Sequence, residues 1–167
     1  MSGLRVEPLT RKRELAGFRS GAAELDVWLE RFALVAEAAG TARTYLLLDA
    51  DAVVGYFALA MAQVEPEDLP ERHRRGTARY PVPMVLLARL AVAEGRQGQG
   101  LGSLLLADAA RRSMRAAESV GARGLLVHAA DANAAAFHEH FGLVRSPSDP
   151  MHLVALMKDL RKTLGGT

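Results

Sequence analysis

The chain has 167 residues, of which half are hydrophobic and 24% are charged, and this balance is typical of one water-soluble globular domain. No apolar run approaches the roughly 18 residues of a membrane span, and the N-terminus lacks the apolar region of a signal peptide. The absence of cysteine excludes disulfides, a thiolate nucleophile and a cysteine-based metal site. The net charge is only +2, although many arginines raise the pI to about 9.3. We therefore expect a single domain over residues 1–167, a cytoplasmic location and no metal.

The hydrophobic pattern predicts strands and helices that alternate along the chain. Apolar runs bounded by turn residues indicate strands, and apolar residues at three- and four-residue spacing indicate helices. The predicted strands are 4–9, 44–48, 53–62, 84–92, 124–129 and 151–157. The predicted helices are 18–39, with a break near Gly21, then 102–120 and 132–141. This order predicts an α/β (α+β) fold whose mixed sheet is mostly antiparallel, with the strands on either side of helix 102–120 parallel.

A glycine-rich turn separates the predicted strand 84–92 from the predicted helix 102–120. Gly98, Gly100 and Gly102 lie at alternate positions, so that several backbone N–H groups can point to one spot. That spot lies at a helix N-terminus, where free donors and the helix dipole favour an anion. The sequence therefore predicts a phosphate-binding turn.

Two common kinds of phosphate-binding turn do not fit this segment. A P-loop ends in Gly-Lys-Ser/Thr, and no lysine lies between Leu86 and Met157. A dinucleotide-binding fingerprint requires its third glycine at the position that Ser103 occupies. The turn therefore belongs to neither class.

The segment Gln97-x-x-Gly100-x-Gly102 resembles the Gln/Arg-x-x-Gly-x-Gly/Ala signature of acyl-coenzyme A binding in the GNAT superfamily of N-acetyltransferases. The order of elements resembles that fold across nearly the whole chain, which implies splayed fourth and fifth strands flanked by helices. The resemblance implies acetyl-coenzyme A (acetyl-CoA) as cosubstrate, with its pantetheine arm on the fourth strand and its pyrophosphate on the following turn. The residues that it assigns to acetyl-CoA binding are Leu90, Ala91, Val92, Gln97, Gly98, Gln99, Gly100, Leu101, Gly102, Ser103, Asn133 and Phe137.

Further segments between residues 18 and 150 resemble the acetyltransferase toxins of bacterial type II toxin–antitoxin pairs. These segments are Phe18-Arg-Ser-Gly21, Glu24-Leu-Asp-Val-Trp-Leu29, Thr41-Ala-Arg-Thr-Tyr45, Tyr80-Pro-Val-Pro83, Leu87-Ala-Arg-Leu-Ala-Val92, Ala134-Ala-Ala-Phe137, Phe141-Gly142 and Pro147-x-Asp-Pro150. The resemblance implies acetylation of the α-amino group of aminoacyl-tRNA, which blocks translation, and neutralisation by a ribbon-helix-helix antitoxin. A homodimer is among the open oligomeric states.

One position departs from the pattern of these toxins. They typically carry Phe-Tyr-Glu in the last helix, and the resemblance implies that this tyrosine protonates the departing coenzyme A thiolate. Here the segment is Phe137-His138-Glu139. An imidazolium is a competent general acid, whereas a neutral imidazole is a weaker acid whose N–H can still stabilise the thiolate. We therefore predict that His138 is the catalytic residue, with a surface histidine beside His140 as the alternative.

Arginines are the candidate substrate-binding residues. Arg72, Arg74, Arg75 and Arg79 form a run that either contacts tRNA phosphates or is simply solvated, and the resemblance favours contact. Arg89, in the strand that leads to the turn, either covers a face of the sheet or meets the substrate. No aromatic residues are interleaved with these arginines, so base stacking is not predicted.

The sequence leaves two other functions open. One is a GNAT enzyme that acetylates a small-molecule or protein amine. The other is a non-catalytic module that binds acyl-CoA, which the missing tyrosine makes arguable. The apolar residues of the first helix, Trp28 and Phe32 among them, are interpreted as core.

Overall fold

Seven strands and six helices form within residues 3–11, 13–77 and 79–164, which are the residues that the computed structural model describes. The strands are β1 (Leu4–Pro8), β2 (Arg43–Asp49), β3 (Ala52–Val64), β4 (Val82–Val92), β5 (Gly124–His128), β6 (Val144–Arg145) and β7 (His152–Leu156). The helices are α1 (Ala23–Val27), α2 (Ala33–Ala39), α3 (Glu71–Arg74), α4 (Leu101–Ser119), α5 (Ala132–Phe141) and α6 (Met157–Leu164). A π-helical turn, Trp28–Phe32, joins α1 to α2, and a 3-10 turn, Pro66–Asp68, precedes α3.

The strands form one sheet in the order β1-β2-β3-β4-β5-β7-β6. β1 and β2, β2 and β3, β5 and β7, and β6 and β7 pair antiparallel, whereas β4 and β5 pair parallel. This confirms the predicted mixed, mostly antiparallel sheet, with α4 as the connection between its two parallel strands. The parallel register ends at Leu87 and Val127, and β4 continues through 88–92 beyond it, as expected for splayed strands.

The chain divides into two units, and β3, β4 and α4 contribute residues to both. The first unit is Met1–Ala60 with Ala88–Ala109, and the second is Met61–Leu87 with Ala110–Thr167. The core of the first unit joins the helical segment 23–39 to the strands. Its buried residues are Leu9, Leu15, Phe18, Leu29, Ala33, Leu46, Leu48, Tyr56 and Ala91. Tyr56 is fully buried, and its hydroxyl donates to the carbonyl of Leu25 at 2.7 Å, which satisfies the polar end of the ring.

The second unit has its own hydrophobic core and a short helix held by arginines. The buried core residues are Leu69, Val82, Met84, Leu126 and Val154. Arg123 Nη2 donates to the carbonyls of His73 and Arg75 at 3.2 and 2.6 Å. Arg72 makes a bidentate ion pair with Asp159, with distances of 3.0 and 2.9 Å. Because α3 is too short to be stable alone, these contacts fix its position.

Several element boundaries differ from the predicted ones. The hydrophobic pattern does not predict α3, β6 or α6, because these elements are short or strongly polar. β3 extends to Val64, and the last strand ends at Leu156 because the chain continues from there as α6. Within the described ranges, no helix combines the length and the apolar character that crossing a membrane requires.

The π-helical turn explains why the predicted core face of the first helix is only partly right. An extra residue in the turn rotates the following residues out of the 3.6-residue pattern. Leu29 and Ala33 are therefore fully buried, whereas Phe32 is 51% and Val35 is 63% exposed. The helix also begins at Ala23 instead of residue 18.

We expect Gly124→Ala to destabilise the fold, because a Cβ atom at this position in β5 would collide with the carbonyl oxygen of Ala155 in β7. The free energy of unfolding, measured by urea denaturation, should fall by about 1–3 kcal/mol. Gly121→Ala is the matched control, since a Cβ there meets no described atom within 4 Å. Equal stability of the two variants would contradict the close approach of β5 and β7.

Candidate active site

The turn between β4 and α4 depends on glycine at specific positions. Gly95, Gly98 and Gly100 have φ values of +82°, +79° and +80°, in the left-handed region that other residues rarely adopt. Gly102, by contrast, lies in the first turn of α4. Of the three alternate glycines in the predicted turn, only the first two therefore provide a left-handed backbone.

The end of this turn presents backbone donors to an open surface. The first hydrogen bond of α4 runs from the Leu104 N–H to the Gly100 carbonyl at 3.1 Å. The amides of residues 101–103 precede this bond and have no acceptor within the helix. A Cβ atom built at Gly98 or Gly100 meets no atom of the described chain within 4 Å. Free donors, open space and the positive end of a helix dipole together favour an anionic group such as a pyrophosphate.

Gln97 holds the turn in place with its side chain. Its Nε2 donates to the carbonyl of Val92 at 3.1 Å and to the carbonyl of Ser20 at 2.8 Å. On the outer side, Arg96 donates to Gln99 Oε1 at 3.0 Å. The side chain of Gln97 is therefore a positioning group, while its backbone N–H stays with the predicted binding turn.

A buried polar pair supports Gln97 from the segment before α1. The carboxyl of Asp26 accepts hydrogen bonds from the Ser20 N–H at 3.0 and 3.1 Å and from the Ser20 hydroxyl at 2.6 Å. Both residues are 8% exposed. Sequence reasoning missed this support, although both residues lie in segments that resemble the toxins.

Arg89 of β4 lies beside an aromatic cavity in the first unit. Its Cζ lies 5.3 Å from the centroid of the Trp28 ring, and Trp28 stacks on Tyr56 with a centroid distance of 6.1 Å and an interplanar angle of 6°. The cavity has a volume of about 390 Å³. Its lining residues are Ala23, Glu24, Val27, Trp28, Phe32 and Arg89. Trp28 thus borders both the core and an open cavity, which the interpretation as core does not capture.

His138, the predicted catalytic residue, is buried in α5. It is 5% exposed, which excludes the alternative of a surface histidine. Burial lowers the pKa of His138 to about 4. Its Nδ1 has no hydrogen-bond partner among the described residues, and its ring lies edge-on to Phe137 at 5.1 Å. At pH 7 the side chain is therefore a neutral imidazole, and the imidazolium is scarcely populated.

The start of α5 carries the other predicted acetyl-CoA contacts of this helix. Asp131 caps the helix, because its Oδ1 accepts a hydrogen bond from the Ala134 N–H at 2.8 Å. Asn133 is exposed, and Phe137 is half-buried. Asp131, at a position where many acetyltransferases have asparagine, therefore has a structural role.

The arginine run divides into one paired and three unpaired side chains. The ion pair with Asp159 raises the pKa of Arg72 and lowers that of the Asp159 carboxyl. Arg74, Arg75 and Arg79 are exposed, and their side chains make no ion pair within the described chain. These three charges are available to an anionic ligand.

The second unit also contains a cleft of about 460 Å³ that sequence reasoning did not predict. His128 and His152, paired across β5 and β7, stack there with a centroid distance of 4.0 Å. Asp149 Oδ2 lies 3.5 Å from His152 Nε2, and Ser148 donates to Asp68 at 2.5 Å. Nowhere in the described ranges do three or more histidine, aspartate or glutamate side chains form a group that could hold a metal ion.

We expect the burial of His138 to make the protein sensitive to acid. The folded pKa of about 4 lies below the usual 6.5, so the unfolded chain binds the proton more readily between these values. Stability from this group is complete above pH 6.5 and is lost as the pH falls toward 4. Between pH 7.5 and 5.5, wild type should lose about 1 kcal/mol more free energy of unfolding than His138→Phe, measured by urea denaturation. Equal losses would contradict the neutral, buried imidazole.

A family model described as an acetyltransferase (GNAT) domain matches residues 34–144. The tRNA-acetylating toxin of Mycobacterium tuberculosis (strain ATCC 25618 / H37Rv) is 45% identical over 152 residues, which cover 91% of each chain.

Two solved toxins have the same fold. A tyrosine-to-phenylalanine mutant of KacT has a TM-score of 0.90 at 27% identity, over 96% of this chain and 99% of that one. AtaT complexed with acetyl-methionyl-tRNAfMet has a TM-score of 0.87 at 27% identity, over 96% and 98% of the two chains. An AtaT mutant bound to acetyl-CoA and the C-terminus of the antitoxin AtaR has a TM-score of 0.82 at 26% identity, with the same coverage. The family match, the 45% identity and the shared fold together show that this chain belongs to the GNAT acetyltransferase family.

Proposed function

We propose that the protein is an acetyl-CoA-dependent N-acetyltransferase toxin that acetylates the α-amino group of aminoacyl-tRNA and so blocks translation. The 45% identity to a tRNA-acetylating toxin over 91% of both chains carries this proposal. The AtaT complexes with acetyl-methionyl-tRNAfMet, acetyl-CoA and AtaR support the same substrate, cosubstrate and kind of partner. A ribbon-helix-helix antitoxin is the proposed partner. Aminoacyl-tRNA as substrate implies a cytoplasmic location.

The turn between β4 and α4 fits the pyrophosphate of acetyl-CoA. We assign the pyrophosphate to the backbone N–H groups of 97–103, because the turn is open and the first amides of α4 have no helical acceptor. The unpaired end of β4, 90–92, is assigned to the pantetheine arm, and Asn133 and Phe137 are further proposed contacts. When bound, acetyl-CoA supplies a thioester whose acetyl group a neutral amine can accept. The backbone of β4 then holds the carbonyl oxygen and orients it for attack.

His138 acts in this proposal as a neutral hydrogen-bond donor. The new C–N bond forms as the C–S bond breaks, so negative charge develops on the sulfur and a proton leaves the amine. A buried imidazole N–H can stabilise this charge without being protonated itself, and a dry site strengthens the hydrogen bond. The pKa of about 4 favours this role over proton donation by an imidazolium.

The exposed arginines are proposed to attract the phosphates of tRNA. Arg74, Arg75 and Arg79 carry charges that no described side chain neutralises. Arg72 contributes less, because Asp159 already pairs with it at 2.9 Å. Arg89 is proposed to meet the substrate beside the acetyl-CoA strand. We keep residues 1–167 as one acetyltransferase domain, since the family match spans residues of both units.

A non-catalytic acyl-CoA-binding module is the second candidate, and the neutral state of His138 is the observation that favours it. Acetylation of a small-molecule or protein amine is a further alternative. Turnover with aminoacyl-tRNA separates the proposed function from both.

Purified protein should transfer radiolabelled acetyl groups to aminoacyl-tRNA, and Gly100→Asp should abolish both this transfer and acetyl-CoA binding measured by calorimetry. The new carboxylate repels the pyrophosphate and occupies the open side of the turn. Gly95→Asp is a matched control, because Gly95 has nearly the same φ, +82° against +80°, and equally open surroundings. Both variants carry the same backbone strain, so only the location differs.

Loss of binding in both variants would contradict the assignment of the pyrophosphate to 97–103. Acetyl-CoA binding without transfer to any aminoacyl-tRNA would instead identify a binding module. Transfer to free amino acids or peptides at the rate for aminoacyl-tRNA would favour the remaining alternative.

We expect His138→Phe to lower kcat by roughly 10²-fold and to leave the Kd for acetyl-CoA unchanged, because the donor acts only on the departing sulfur. His138→Tyr restores a neutral donor and should keep most of the activity. The wild-type kcat should show no decline near pH 6.5 from this group, since its pKa is about 4. A decline centred near pH 6.5, or full activity of His138→Phe, would rule out the neutral-donor role.

A further inference from the structure

The structure joins aromatic residues and an arginine that no sequence motif connects. Trp28 and Phe32 lie at the two ends of the π-helical turn, and Arg89 lies on β4. Together with three residues of the α1 segment they line the cavity of about 390 Å³ in the first unit. This volume is in the range of sites that hold a drug-sized molecule. π-Helical turns also occur frequently at functional sites.

The wall of the cavity is rigid on one side and open on the other. Trp28 stacks on Tyr56, whose hydroxyl is fixed by its bond to the Leu25 carbonyl at 2.7 Å. Phe32 is 51% exposed and Val27 is 41% exposed, so this apolar surface faces solvent. Two half-exposed apolar side chains at the same cavity leave a flat surface on which an aromatic ring can stack.

Two side chains of opposite charge lie on this apolar surface. Arg89 Nε is buried and has no hydrogen-bond partner among the described residues. Glu24, from α1, contributes a carboxylate to the same cavity. An adenine base presents both an amino donor and ring-nitrogen acceptors at its edges and an apolar face. One acceptor, one donor and an aromatic surface are therefore complementary to a purine, whereas an aliphatic side chain would leave both charges unused.

We propose that this cavity binds the 3′-terminal adenosine of tRNA, an inference that rests on the proposed function. Arg89 directly precedes residues 90–92, to which the pantetheine arm is assigned. The amino acid is esterified to the ribose of this adenosine, so binding of the base places the amine beside the acetyl-CoA strand. Phe32 stacks on the base, and Arg89 and Glu24 contact its edge. The cavity thus recognises the end that all tRNAs share.

Trp28 allows binding to be measured directly, because it is the single tryptophan of the chain. Its fluorescence is followed during titration with two unacylated tRNA transcripts, one complete and one that lacks only the terminal adenosine. Wild type should bind the complete transcript roughly 10-fold or more tightly than the shortened one, as expected for one stacked base. Phe32→Ala should remove this difference, and Phe32→Tyr should retain it. Val35→Ala is the control, since Val35 is 63% exposed and lies outside the cavity lining.

Equal affinity of wild type for the two transcripts would overturn the inference and would leave the cavity to an amino-acid side chain or a peptide. Retention of the difference in Phe32→Ala would overturn it as well. Because neither transcript carries an amino acid, this measurement is independent of acetyl transfer. A terminal-adenosine effect in a protein that transfers no acetyl group would contradict the proposed function and support the cavity assignment. Acetyl transfer without such an effect would do the reverse.

Discussion

The buried hydrogen bonds between Asp26 and Ser20 organise the first unit. A buried carboxyl group is costly unless donors satisfy it, and Ser20 supplies its amide and its hydroxyl, the latter at 2.6 Å. This fixes the Ser20 carbonyl, which accepts the bond from Gln97 that holds the binding turn. Gly21 is required beside it, because its φ is +94° and a Cβ there would lie 3.2 Å from Glu94. Since Asp26 lies in α1, the same bonds also fix the start of the helical segment that carries the cavity.

Local sequence patterns predict the parts of this structure that depend on local physics. The long strand, the glycine turn and the helix after it follow from apolar runs and glycine positions within residues 84–120, and β4 and α4 lie there. The π-helical turn could not be predicted, because it disrupts the periodicity on which the helix prediction depends. The hydrogen bonds of Gln97 to Ser20 and the approach of Arg89 to Trp28 connect distant segments, so no spacing reveals them. The resemblance to GNAT toxins supplied what periodicity could not, and the family match confirms it.

The exchange of tyrosine for His138 preserves more chemistry than the residue names suggest. With its usual pKa near 10, tyrosine is a neutral O–H donor at pH 7. An exposed histidine would be partly cationic there, but burial lowers the pKa of His138 to about 4 and makes it a neutral N–H donor. Only tertiary burial produces this equivalence, which is why the sequence alone favoured an imidazolium. The group at this position therefore stabilises developing charge in both cases, and neither version requires a charged acid.

Two kinds of tRNA contact are separated in this chain by their chemistry. Exposed arginines such as Arg74 and Arg75 interact with phosphates through long-range charge, which depends on salt and carries no sequence information. Arg89 is half-buried over an aromatic ring, where contact is short-ranged and depends on shape. The first kind increases the rate of encounter with any tRNA, and the second positions one nucleotide. Because acetyl transfer requires the amine at a fixed place, only the second kind can contribute to the orientation on which the rate depends.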